Sequence, residues 1–250
     1  MLFKDISFPT PQENILFDDV LLSLAEEGKS ESVLRCWESP KMFIVLGRIG
    51  KAADDIHIDT VLQDKIPVLR RSSGGGTVLQ GKGCLNFSLI LSKDDDPQLN
   101  DIVKSYQIIL NKVMLAVKQL GMDAVFQPTS DLSLKDPPKK FSGNAQRRGK
   151  KFILHHGTLL YDFPLFYIEK YLKMPKDVPA YRRGRSHEAF VTNLAVNMDD
   201  CKAALKGIFN AQQQDDNLST DEKKCLEKYL TEKEITLDLK SSMKFNCISH

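Results

Sequence analysis

The apolar pattern opens with a helix. Leu16, Val20 and Leu24 recur at helical spacing, and their apolar neighbours widen the stripe. Thr10 is placed to cap it, Pro11 suits its first turn, and Glu13 completes a capping box. Gly28 supplies the stop. Two short apolar runs, 32–37 and 42–46, read as strands, and 55–63 as a helix with a thin apolar face. Over 66–92 the period changes to two. Leu85, Phe87, Leu89 and Leu91 alternate with Asn86, Ser88 and Ser92, only Ile90 falling out of step, so this segment predicts β-structure folded about glycines. Ile102, Tyr106, Ile109, Val113, Val117 and Leu120 give the clearest helical stripe, over 101–120, ended by Gly121.

From 124 to 162 the pattern predicts short strands separated by turns at Asp136-Pro137-Pro138 and Arg148-Gly149. A short helix follows over 164–172, then an irregular basic stretch over 175–186. Beyond Asn193 the chain becomes helical and charged, with a linker at 212–217 and a second capping box from Ser219 and Glu222. Strands and helices mix without a regular βαβ rhythm and without an internal repeat. The predicted class is α+β, with mostly antiparallel sheets flanked by helices. A main domain over 1–210 and a short C-terminal helical extension over 211–250 complete the division.

Composition changes this picture little. Of 250 residues, 42% are hydrophobic and 27% charged, as in ordinary globular domains. With 35 basic and 33 acidic residues the charge is too balanced to point to nucleic acid. No apolar run reaches the roughly 20 residues of a membrane span, and the first residues lack a secretory core. The five cysteines are scattered, with no CxxC pair, which argues against a disulfide framework or zinc site. Reduced thiols in a cytoplasmic compartment are expected, or an organellar one if a transit peptide has been removed.

Four segments hold candidate chemistry. In Arg70-Arg71-Ser72-Ser73-Gly74-Gly75-Gly76-Thr77, successive glycines allow close approach of a ligand and an anion-binding nest, while arginines add planar donors. Alone, three glycines are more simply a turn. Gly76, Gly81 and Lys82 imitate a P-loop, but Gly83 stands where a hydroxyl is required and a strand follows instead of a helix. In Lys139-Lys140-Phe141-Ser142-Gly143, a lysine amid small residues suits charge developing on a carbonyl or phosphate; an exposed strand-end lysine is the plain alternative. His155 and His156 are adjacent on a strand, so at most one faces a site and the pair does not chelate one metal. Asp131 is either a turn cap or a magnesium ligand. Cys84 reads as a small core residue.

Taken in order, RRSSGGGTVLQGKGCLNFS, SDL, KKFSGNAQRR and HHGTLLYDF, preceded by Val45-Leu46-Gly47-Arg48, resemble the lipoate–protein ligase A family and the related lipoyl and octanoyl transferases. The resemblance implies an α+β catalytic domain like that of biotin–protein ligases. It implies activation of lipoate or octanoate with ATP to an acyl-adenylate, then transfer to a lysine of an acceptor. Arg71, Gly76, Thr77, Val78 and Leu79 are similar to the family's nucleotide- and acyl-contacting segment, and Lys140 to its lysine at the acyl carboxylate. The same likeness places Arg70, Ser73, Gly74, Gly75, Asn86, Ser142, Gly143, His156 and Gly157 around the substrate and nucleotide, with Asp131 near the phosphates and magnesium. An apolar tunnel for the acyl tail is expected to draw on Trp37, Val78 and Leu85. Implied partners are lipoyl domains of 2-oxoacid dehydrogenases or the glycine cleavage H protein, and an accessory subunit, with no nucleic acid and no membrane. The alternatives are a transferase using a pre-activated donor, or the catalytic subunit of a two-part ligase. No cysteine lies between Gly121 and Asp200, where the family's thioester-forming transferases carry theirs.

Overall fold

The computed structural model describes residues 1–239. In chain order the elements are β1 (Leu2–Asp5), α1 (Pro11–Glu26), β2 (Val33–Trp37), β3 (Phe43–Leu46), α2 (Ala52–Asp55) and α3 (Ile58–Gln63). Then come β4 (Val68–Arg70), β5 (Val78–Gln80), β6 (Cys84–Ser92), α4 (Ile102–Gln119), β7 (Ala124–Gln127), β8 (Asp131–Leu134), β9 (Lys140–Arg148) and β10 (Phe152–Leu160). The last are α5 (Phe166–Tyr171), α6 (His187–Phe190), α7 (Met198–Ile208), β11 (Gln213–Gln214) and α8 (Thr220–Glu232). Among the described residues no helix is long and apolar enough to cross a membrane.

Eight strands form one sheet in the order β11-β1-β2-β6-β10-β9-β8-β7, and β4-β3-β5 form a second. Pairing is antiparallel except at β1–β11, β1–β2 and β3–β4. The α+β class and the predominance of antiparallel pairing agree with the sequence pattern. Period-two alternation sends the two faces of the large sheet to different cores. Leu34, Phe87, Leu89 and Ile153 meet Ile109, Leu110, Val113 and Val117 of α4, with Leu205 of α7 beside them. Val33, Ile90 and Leu154 meet Leu16, Phe17, Val20, Leu21 and Leu24 of α1 on the opposite face. Ile90, the residue out of step with its neighbours, is therefore a core residue of that second face. Both predicted capping boxes are formed, Thr10 with Glu13 and Ser219 with Glu222.

Three local expectations change. Of the helix expected over 55–63 only α3 forms within that span, α2 ending at Asp55, because buried Ile56 is extended and bridges Leu172. The short strands expected within 124–162 include β9 and β10, each nine residues long and paired along most of their length. The expected linker at 212–217 contains β11, which adds to β1 through backbone bonds and so left no apolar alternation to read. Beside it, buried Lys4 bonds the Asn217 carbonyl at 3.1 Å and pairs with Glu222 at 3.3 Å. Leu226 of α8 enters the α1 core, and Arg70 N–H donates to the Ile235 carbonyl at 2.8 Å.

Candidate active site

The α1 face of the large sheet forms the floor of a cavity of about 850 Å³, within the usual range for small-molecule sites. Registers align five floor residues in one transverse row. Trp37 faces Asn86, Asn86 faces Thr158, Thr158 faces Gly143, and Gly143 faces Asp131. All five line the cavity. Directly opposed residues share a sheet face, and Trp37 to Gly143 spans three interstrand steps, about 14 Å.

Lys140 stands at the Asp131 end. Its ammonium lies 2.7 Å from Asp131 Oδ1. A Cβ at Gly143 would sit 3.2 Å from that Nζ; the missing side chain lets the lysine lie along the floor. Tyr181 hydroxyl donates to Asp131 Oδ2 at 2.8 Å. Burial and then the Asp131 charge push the phenol pKa up, so the proton stays on Tyr181.

The glycine loop forms the opposite wall. Arg71 lines the cavity, but its donors go to the loop itself. Nη2 donates to the carbonyls of Gly74 at 2.6 Å and Gly76 at 2.8 Å, Nη1 to Val45 at 3.3 Å, and Nε to Ser73 Oγ at 3.0 Å. Burial pulls its guanidinium down to about 10, still far above neutrality. The loop packs on Gly47, where a Cβ would come within 2.1 Å of the Gly75 carbonyl oxygen. Gly75, Gly76, Thr77, Val78 and Leu79 complete this wall, and Thr77 Oγ1 donates to Asp55 Oδ2 at 2.6 Å.

Ser73 Oγ also meets His156 Nε2 at 2.7 Å. Ser73 Oγ accepts from Arg71 Nε, and its contact with His156 is donated by whichever of the two carries the hydrogen there; the other ring nitrogen is Nδ1. That nitrogen faces Asp18 Oδ2 at 3.6 Å. Asp18 is buried and pairs with Arg35 at 2.7 Å, while Ser88 hydroxyl donates to it at 2.7 Å. Burial alone would raise the Asp18 carboxyl, but Arg35 and His156 together hold it below its ordinary value. His155 points to the other face, between Phe87 and Tyr106, and burial pulls it down to about 3.

The cavity thus brings together Arg71, Gly75 to Leu79, Asn86, Asp131, Lys140, Ser142, Gly143, His156 and Gly157. Arg70, Ser73 and Gly74 stand outside its lining. Arg70 Nη1 donates to the carbonyls of Gly47, Arg48 and Gly50 at 2.9, 3.1 and 2.8 Å, so it braces the neighbouring loop. Trp37 and Val78 line the cavity as expected for the tail, whereas Leu85 belongs to the α4 core. The cavity is also less apolar than the expected tunnel, since Gln80, Asn86 and Thr158 form part of its lining.

Sequence reasoning missed two groups. Lys173, just before the basic stretch, and Lys176 and Arg182 within it supply a wall, with Lys173 on the Ala53 carbonyl at 2.7 Å and Lys176 on Asp54 at 2.9 Å. The cluster of cations in that stretch was visible without its destination. Asp18 and Arg35 were also missed, although Asn14 and Asp18 interrupt the buried face of α1 at helical spacing, which was the available signal. Among the described residues, three buried side-chain polar atoms lack partners: Trp37 Nε1, Gln80 Oε1 and Arg182 Nη2. All three residues line this cavity.

Comparison with known proteins identifies the family and the fold. The family model described as the lipoyl protein ligase A/B catalytic domain matches residues 10–209. A probable lipoate-protein ligase A from Mycoplasma pneumoniae is 32% identical over 166 residues, covering 66% of this chain and 47% of that protein. Lipoate-protein ligase LplJ of Bacillus subtilis is 33% identical, covering 63% of this chain and 45% of that protein. The chain therefore spans about half the length of these curated ligases. Octanoyltransferase LipM of Lysinibacillus sphaericus is 28% identical over 174 residues, covering 61% of this chain and 63% of that protein. The crystal structure of lipoate-protein ligase A bound with ATP shares the fold at a TM-score of 0.79 and 21% identity, covering 93% of this chain and 94% of that one. The bi-partite lipoate protein ligase of Thermoplasma acidophilum does so at 0.78 and 22% identity, covering 93% and 92%. With one fold throughout and a family match across most of its length, the chain belongs to the lipoyl protein ligase A/B catalytic domain family.

Proposed function

We propose that this chain activates lipoate or octanoate with ATP and transfers the acyl group to a lysine of an acceptor lipoyl domain. The observation that carries the reading is the transverse row, with the Lys140 ammonium beside Gly143 and Asp131 at one end and Trp37 three interstrand steps, about 14 Å, from Gly143. That span suits a medium-chain acid whose carboxylate meets Lys140. In the first step a carboxylate oxygen attacks the α-phosphorus and pyrophosphate leaves. In the second the acceptor amine attacks the acyl carbonyl, loses a proton, and AMP leaves. Both steps bring anions together or build charge on oxygen, which Lys140 offsets from a fixed position. The glycine loop presents backbone rather than side chains to the nucleotide, in a shape held by Arg71. Magnesium carried by the phosphates would meet Asp131, since this ion commonly takes one or two protein carboxylates and keeps its remaining sites for water and phosphate.

No cysteine lines the cavity among the described residues, which favours adenylate over thioester chemistry. The likeness to LipM supports a second reading, transfer from a donor activated elsewhere. The test compares acylation of an apo lipoyl domain by ATP plus lipoate with acylation by preformed lipoyl-adenylate. Product from both supports the ligase. Product only from the adenylate moves activation to another subunit, and product from neither rejects both readings.

A further inference from the structure

Two of the three unpartnered atoms belong to Trp37, at the end of the floor, and to Gln80 of β5, which meets the floor at Thr158, and their chemistry is fixed by a chain of bonds. Asn86 Nδ2 donates to the Cys84 carbonyl at 3.3 Å, so its Oδ1 is the acceptor. Thr158 gives its single hydroxyl hydrogen to that Oδ1 at 2.7 Å. Thr158 oxygen must then accept from Gln80 Nε2, also at 2.7 Å. Anchored in this way to a backbone carbonyl, the chain leaves no freedom to exchange the amide atoms of Gln80. Its carbonyl is turned away from Thr158, and no donor reaches it. Gln80 is 5% exposed. Beside Asn86 in the row, Trp37 is 3% exposed and its indole N–H has no acceptor. The tail end therefore presents one unmet acceptor and one unmet donor, each of which resists burial without a partner.

On the reading that the acyl carboxyl lies at Lys140, we infer that the distal pocket selects an acyl group bearing a hydroxyl or thiol at its far end. Such a group accepts from Trp37 Nε1 and donates to Gln80 Oε1. A plain alkyl terminus does neither. A cyclic disulfide accepts weakly from the indole and gives nothing to Gln80, whereas its reduced dithiol form meets both. Gln80 and Trp37 are on this account specificity-determining residues, distinct in role from Lys140 and the glycine loop.

The test is calorimetric binding of octanoate, lipoate, dihydrolipoate kept under reductant, and 8-hydroxyoctanoate to the full chain. The hydroxy acid is expected to bind about tenfold to a hundredfold more tightly than octanoate. Dihydrolipoate should exceed lipoate by a smaller factor, because a thiol is the weaker donor. These two arms separate a hydroxyl from a thiol source. Gln80→Leu should bring the hydroxy acid and octanoate to within about threefold, because the unmet acceptor is gone. Trp37→Phe, which keeps an aromatic ring but removes the N–H together with the five-membered half of the indole, is the second variant and should also reduce the ratio. Equal affinity of octanoate and both X–H acids for the unmodified chain overturns the inference. So does a preference that survives in both variants. Ligation of octanoate at full rate in that case leaves the proposed function standing, while failure of every acid to bind removes both.

Discussion

Replacing Lys140 by alanine separates the catalytic role proposed for it from its structural contribution. The Lys140–Asp131 pair is 2.7 Å long, but the lysine is 29% exposed. A solvated pair of this kind contributes only about 0–1 kcal/mol. Asp131 keeps the Tyr181 hydroxyl and its own partial exposure, so no charge is stranded in the core. For a domain of this size each kcal/mol moves Tm by roughly 2–4 °C, which limits the expected loss to about 4 °C. The rate should respond far more. A fixed charge facing a developing oxyanion is typically worth about 10²–10³ in rate, or ~2.7–4 kcal/mol. Thermal unfolding and single-turnover acylation, followed by mass of the acceptor domain, read the two quantities on one preparation. A folded Lys140→Ala protein within about threefold of the normal rate would refute the role given to this ammonium, since that is far short of the 10²–10³ expected.

Asp18→Asn should be destabilised by about 3–5 kcal/mol in denaturant melts, because Arg35 would remain buried without its counter-ion; a loss under about 1 kcal/mol contradicts the buried pair, since even solvated pairs reach that figure. The Asp18 carboxyl and His155 are both held below their ordinary pKa, so each adds stability that is present above the ordinary value and lost as pH falls toward the folded one. For His155 that window runs from 6.5 to about 3, and His155→Gln should flatten the pH dependence of unfolding there. Gly76→Val tests the cavity and Gly75→Val tests the fold: a Cβ at Gly76 meets nothing within 4 Å, whereas Gly75 has φ +86° and crowds Arg71 at 2.9 Å. Gly76→Val should therefore lose nucleotide affinity with little change in Tm, and the reverse order would contradict the loop geometry. A variant with all five cysteines changed to serine should retain transfer, because burial raises the thiols of Cys36, Cys84 and Cys225 and pushes Cys201 up to about 11; Cys247 lies outside the described residues. A hydroxylamine-sensitive, kinetically competent acyl adduct on any cysteine is the contrary result.

The long elements were legible because their signals are local. The alternation around Leu85 to Leu91 and the stripe from Ile102 to Leu120 each announce one periodicity, and the capping boxes mark helix starts with only four residues. β11 was illegible because two glutamines at a sheet edge are held by backbone bonds, which any sequence can make. The ordered motifs singled out Lys140, Asp131 and the glycine segment, and the structure brings these around one cavity. They could not say that Arg71 turns its donors inward, because that depends on carbonyls three and five residues along a loop whose path is set by Gly47. Nor could they show that the three unmet polar atoms converge on one cavity, since Trp37, Gln80 and Arg182 meet only through tertiary packing.

The transverse row has a mechanical consequence. A substrate lying along it is measured across strands, and the unit of that measurement is the backbone hydrogen bond, not a side chain. Substitutions within the row change what the substrate touches but leave the separation of its ends untouched. On the proposed reading, Trp37 and the Lys140–Asp131 pair mark the two ends of the measure, and the strands between them divide it into steps of about 4.8 Å. A gauge of this kind is stiff against thermal motion and slow to drift under mutation.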